Sequence, residues 1–214
     1  QPSRTLEPGE ERYWITADFF RKCLDRVVAF NLRKAGELHI TFDDGNVSDY
    51  EIALNEITER GLDATFFIVS HRIDCKGSLT KTMLRSLHQS GMAIGTHGRR
   101  HNDWRLMPTD ELQLELRESK ATLEDIISSP VIQAAIPFGS YDNRVLNTLR
   151  REGFQSVYSS DRGPCRKDRW LRPRTCITQH MNIQDIEAQI RQDKKRTSQI
   201  MQELRLIKRR YLME

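Results

Sequence analysis

Short apolar runs alternate with stretches of helical period, and this alternation constrains the fold more than any other feature. LHITF at 38–42, ATFFIV at 64–69, MAIGT at 92–96, VIQAAI at 131–136 and QSVYS at 155–159 read as strands, with LRPRTCI at 171–177 as a further candidate. Between them the spacing predicts helices. Thr16 caps one that carries Phe20, Cys23, Leu24, Val27 and Val28; residues 50–60 place Ala53, Leu54 and Ile57 inward before Gly61. Residues 79–90 carry Met83, Leu84 and Leu87 and stop at Gly91. Pro108 and Thr109 open a long helix through Leu112, Leu116, Leu123 and Ile127, and Asp142 caps one with Val145, Leu146 and Leu149 before Gly153. Strand and helix in strict alternation mean βαβ crossovers and a mostly parallel sheet. Periodicity alone leaves a flat doubly wound sheet and a barrel both open.

A chain of 214 residues favours a single domain over two small ones, and we read 1–214 as one. Its 37% apolar content is modest, but the clustering above argues against disorder. No run of 18 apolar residues exists, so no membrane span is expected, and no hydrophobic leader follows Gln1. Cytoplasmic and exported action both stay open. The net charge of +4 is local: residues 191–210 hold eight Lys/Arg against two Asp/Glu, leaving the remainder slightly acidic. Ile200, Leu204, Ile207 and Tyr211 recur there at helical spacing, which reads as an amphipathic terminal helix with a solvated basic face. The other reading is a dock for an acidic polymer or surface, but no aromatic interleaving supports nucleic acid. Cys23, Cys75, Cys165 and Cys176 lack C-x-x-C spacing, so no zinc-thiolate site is expected.

Polar residues gather at strand ends. Asp43 and Asp44 follow the first strand, His97 and His101 follow MAIGT, and Pro137-Phe138-Gly139 follows VIQAAI. In α/β folds, sites form where the carboxyl ends of strands meet. Adjacent aspartates repel unless a cation sits between them. His97 and His101, four apart, can face one point, and two imidazoles with Asp44 make a three-ligand metal set with open positions. Asp43 is then left free to take a proton. A plain Asp44-Gly45 surface turn is the bland alternative.

TFDDG at 41–45, THGRRH at 96–101 and IPFGSYDN at 136–143, in this order, resemble the motifs of the polysaccharide deacetylases, carbohydrate esterase family 4. The likeness runs over about 13–180, with helices expected over 181–214. YWITADFFRKCLDRV at 13–27 and the third motif resemble the poly-N-acetylglucosamine and exopolysaccharide branch. The resemblance implies a distorted (β/α) barrel of about seven strands and a divalent metal, most often zinc. It implies an N-acetylated glycan as substrate, with hydrolysis of its acetamide. By carry-over, Asp43 is the general base, Asp44, His97 and His101 hold the metal, and the Phe138 N–H beside Pro137 is the oxyanion donor.

Two positions depart from the pattern. Ala135 stands where many members place an arginine that holds the base; the resemblance offers Arg174, in RWLRPRT, as the replacement, with Arg172 as its rival. The late leucine-x-histidine motif is missing, and His180 is the only late histidine to serve as acid or substrate contact. Trp104 and Tyr141 are expected either to line a sugar groove or to pack in the core. His39 and His71 read as structural or surface residues, and His88 lies on a helix with no partner in view. The competing functions are hydrolysis of a small non-carbohydrate amide and non-catalytic carbohydrate binding.

Overall fold

The computed structural model describes residues 2, 4–32, 38–163 and 168–191. The basic stretch after residue 191 and Cys165 lie outside these. Six strands form one sheet: β1 (Ile40–Asp44), β2 (Ala64–Ile68), β3 (Ala93–Thr96), β4 (Gln133–Ala135), β5 (Ser156–Ser159) and β6 (Leu171–Pro173). Each pairs in parallel with its neighbour in the chain, in the order β1-β2-β3-β4-β5-β6. Helices α1 (Ala17–Leu32), α2 (Asn55–Glu59), α3 (Lys81–Gln89), α4 (Thr109–Ile127), α5 (Asn143–Arg151) and α6 (Ile183–Arg191) surround it. The helix expected over 50–60 opens as a π-helical turn, Asp49–Leu54, before α2. The strand expected over 171–177 leaves the sheet after Pro173. Six strands are therefore found among the described residues, where about seven were expected.

The local signals act where they were read. Thr16, Thr80 and Asp142 each accept a backbone N–H at the start of α1, α3 and α5. Gly61, following the α2 turn, takes φ 62°, a left-handed conformation that only glycine adopts without cost.

Register sorts the strand residues into two faces, because paired positions of a parallel ladder point the same way. Phe42, Phe66 and Ile94 share one row, and Ala134, Val157 and Leu171 continue that face. It is covered by helices: Leu84, Leu87, Leu123 and Ile126 pack on the first half, and Leu112, Leu116, Val145, Leu146 and Leu149 on the second. The other face holds Asp43, Phe67 and Gly95 in one row, then Ala135, Tyr158 and Arg172. Phe67, Ala135 and Tyr158 form a small cluster inside the curl. A Cβ at Gly95 would lie 2.5 Å from the Phe67 ring, so glycine there lets the ring lie flat across the concave face. The sheet curls far enough that Arg174, just past β6, donates to Thr41 and Asp43 of β1 at the opposite edge. It is a distorted (β/α) barrel, joined across its open side by a guanidinium.

Candidate active site

Neighbouring residues on a strand should face opposite sides, yet Asp43 and Asp44 address one site. Asp44 takes φ 77°, leaving the extended conformation at the strand end, and Gly45 follows at φ 75°. Its Oδ1 then lies 4.0 Å from His97 Nε2 and 3.6 Å from His101 Nε2, while Asp43 Oδ2 lies 3.7 Å from His97 Nε2. Asp44, His97 and His101 each offer a ligand atom, all within 4.8 Å of one another.

The two imidazoles are oriented from behind. A carbonyl only accepts, so His97 Nδ1–H donates to the Ala135 oxygen at 2.9 Å, leaving the Nε2 lone pair on the site. His101 Nδ1–H donates to the Glu7 carboxylate at 2.9 Å, with the same result. Burial pushes the His97 pKa down, against the pull of Asp43 and Asp44, favouring the neutral ligand form. The loop between the histidines is shaped by Glu115 of α4. This buried carboxylate accepts the N–H groups of Arg99 and Arg100, both at 2.7 Å. Gly98, at φ 84°, passes so close that a Cβ would meet Glu115 Oε1 at 3.0 Å and Trp104 Nε1 at 3.1 Å. His101 itself takes φ 58° to return to the site.

Asp43 is gripped by Arg174 in a fork, Nη1 to Oδ1 at 2.6 Å and Nη2 to Oδ2 at 2.8 Å. Burial alone would raise its pKa; the Arg174 guanidinium is the leading charge that opposes this, and the carboxyl is brought down to about 2. The guanidinium lies 5.3 Å above the Phe67 ring and 5.9 Å from that of Tyr158, which hold it from the barrel interior. Arg172 turns instead to the Tyr158 hydroxyl, 3.1 Å away. Ala135, where the resemblance implies an arginine, brings no charge, and the cation on Asp43 comes from beyond β6. Asp49, buried close by, accepts the Asn46 N–H; burial and then the charges of Asp44 and Asp43 drive its pKa well up.

The remaining expected residues separate. Pro137 is buried, and Phe138 follows at φ 57° with its ring 4.5 Å from that of His101 and 62% exposed at the mouth. Trp104 and Tyr141 are 0% and 2% exposed. The core alternative holds for both: Trp104 packs with Leu112 and Leu116, and Tyr141 donates to buried Asp161 at 2.7 Å. Neither offers a face to a sugar. His180 is exposed on a turn ahead of α6, and among the described residues no hydrogen bond or ion pair joins it to the site. His39 bonds Thr65 inside the barrel and His88 bonds Ser129. Sequence reasoning missed Glu7 and Glu115, together with Arg72, whose Nη1 lies 3.4 Å from Asp44 Oδ1.

Residues 32–157 match the sequence pattern of the polysaccharide deacetylase family. A Bacillus subtilis protein with the provisional name polysaccharide deacetylase YxkH is 25% identical over 168 residues, 78% of this chain and 56% of its own length. The peptidoglycan-N-acetylglucosamine deacetylase of Bacillus cereus is 27% identical over 119 residues, 55% of this chain and 54% of its own. The chain thus spans about half the length of these relatives. In three dimensions it resembles IcaB from Ammonifex degensii, with a TM-score of 0.70 at 17% identity, covering 89% of this chain and 93% of that one. With more than half of its length in the family pattern, the chain belongs to the polysaccharide deacetylase family.

Proposed function

We propose that the chain is a metal-dependent hydrolase that removes N-acetyl groups from an N-acetylated poly- or oligosaccharide, with zinc at its centre. One juxtaposition carries this reading: two imidazole lone pairs and the Asp44 carboxylate converge within 4.8 Å, beside a carboxylate locked by Arg174. The donors fit a divalent cation. Asp44 Oδ1 is buried without a hydrogen-bond partner, and His97 and His101 present their Nε2 atoms to the same point. Two histidines and one carboxylate leave positions open for water and substrate.

Asp44, His97 and His101 would hold the metal, which when bound supplies Lewis-acid polarisation of the acetamide carbonyl and lowers the pKa of a water. Asp43 remains ionised and aimed by Arg174, and takes the proton of the attacking water. The Phe138 N–H serves as oxyanion donor at the mouth. With His180 on an exposed turn, we assign proton return to Asp43 as well. The proton taken from the water is then passed by the same carboxyl to the departing nitrogen. Acetate and a free amine on the sugar result.

The exposed Phe138 ring supports a sugar substrate over a small amide, since an aromatic face at an open mouth suits the apolar face of a pyranose. N-acetylglucosamine is carried over from the Bacillus cereus relative, and the exopolysaccharide class from the motif resemblance. The test is acetate release from N-acetylglucosamine oligomers by metal-stripped, zinc-restored and Asp43→Asn protein, with bound metal counted in each. Release that needs metal and vanishes in D43N, while metal stays bound, supports the reading. Bound metal without release would move the substrate to another amide. Folded protein that takes up no metal would leave a binding module.

A further inference from the structure

The segment ahead of α1 carries charges that the proposed chemistry does not use. Glu10 gathers it: its carboxylate accepts from Arg4, from the Glu7 N–H at 2.9 Å and from the Trp14 indole N–H at 3.2 Å. Residues 4–14 are thereby drawn around one partly buried acid, and the resulting strap lies on the site. Arg4 Nε donates to Asn46 Oδ1 at 2.8 Å, and its Nη2 lies 3.5 Å from Asp44 Oδ2. Glu7 divides its two oxygens, one to His101 Nδ1–H at 2.9 Å and the other to Arg72. Arg72 in turn lies 3.4 Å from Asp44 Oδ1. Glu7 is therefore tied to Asp44 by two routes, through His101 and through Arg72.

The two ring nitrogens of an imidazole point apart, so a ligating histidine must carry its proton on the nitrogen away from the metal. A carboxylate behind the ring enforces this and raises the basicity of the ligating nitrogen. Glu7 is the group behind His101, 94 residues away in sequence. On the metal-dependent reading above, we infer that Glu7 is a positioning residue of the metal centre and that metal binding is coupled to docking of the 4–14 strap. The coupling is reciprocal: the docked strap raises metal affinity, and bound metal holds the strap down by the same factor.

The test titrates the metal-free 214-residue chain with Zn2+ by calorimetry and with Co2+ by visible absorption, comparing wild type, Glu7→Ala and Glu7→Gln. E7A should lose about 10- to 100-fold in zinc affinity and shift the cobalt ligand-field bands. E7Q keeps an acceptor for Nδ1–H without the charge and should fall between. E7Q is also nearly isosteric, so it carries the test where E7A disturbs the fold. Metal should slow tryptic cleavage after Arg4 and Arg12 in wild type and not in E7A, a change that lost fold stability alone would not produce. Zinc affinity in E7A and E7Q within twofold of wild type, with an unchanged cobalt spectrum, would overturn the inference while leaving the metal reading intact. Wild type that binds no metal would overturn both.

Discussion

Replacing Arg174 by methionine removes a guanidinium from both oxygens of Asp43 while keeping an apolar stem over Phe67. Two charge-assisted hydrogen bonds of 2.6 and 2.8 Å are lost, each worth about 1.5–3 kcal/mol when well formed. The Asp43 side chain is 34% exposed, so water recovers part of that loss, and the net cost should fall below the sum of the two, at about 2 kcal/mol. Carried into the transition state, this is roughly 30-fold in kcat/KM. The pH profile should move as well. Burial pushes the Asp43 pKa up and Arg174 is the leading charge opposing it, so in R174M the acid limb shifts to higher pH, whereas wild type stays flat into mild acid. The sign for stability follows. A depressed folded pKa stabilises fully above the unfolded value, about 3.9, and that contribution is lost as pH falls through the folded value near 2. The Tm gap between the proteins should be full at pH 7 and close below pH 4. Lysine at 174 restores charge but not the fork, so R174K should recover only part of the rate. R174M with wild-type rate and an unmoved acid limb, at equal metal content, would refute the base assignment.

Asp44→Ala should lower zinc affinity at least 100-fold by calorimetry, and chelation should lower the Tm of wild type but not of D44A; about 2.7 kcal/mol of stabilisation is expected when free metal is 100 times its Kd. Burial pushes the Cys23 thiol up to about 11, so iodoacetamide at pH 8 should label exposed Cys75 and Cys176 well before Cys23, read by peptide mass mapping; equal rates would contradict that burial. Gly95→Ala drives a Cβ to 2.5 Å from the Phe67 ring and 3.0 Å from the Gln133 carbonyl. It should cost about 1–3 kcal/mol, at about 2–4 °C of Tm per kcal/mol, and an unchanged Tm would show that the ring can give way.

The alternation of strands with helices and the grouping of Asp44, His97 and His101 were legible because their signals are local. Apolar runs alternate with capped helical stretches, and Asp44, His97 and His101 fall at strand ends, where an α/β fold brings them together. Asp43 and Arg174 needed the family pattern as well, since nothing local pairs residues 131 positions apart. Glu7 sits in the polar run LEPGEER, whose composition gives no hint of where its carboxylates go. Glu115 did leave a trace. It shares a helix face with Leu112, Ser119 and Leu123, and a carboxylate within a buried stripe needs buried partners, which the Arg99 and Arg100 N–H groups supply. Trp104 and Tyr141 stayed open between groove and core because standing next to a motif in sequence says nothing about exposure; both side chains pack in the core.

Because each strand pairs with its chain neighbour, the sheet can grow in the order of synthesis, every new strand adding to the last. The chemistry does not grow with it. Asp43 is laid down with the first strand but is held only when Arg174, past the sixth, has arrived. A chain that ends before residue 174 lacks the cation that holds Asp43, whatever its strand content. On the proposed hydrolytic reading, acetate release would report on the arrival of Arg174 in a way that secondary structure content does not.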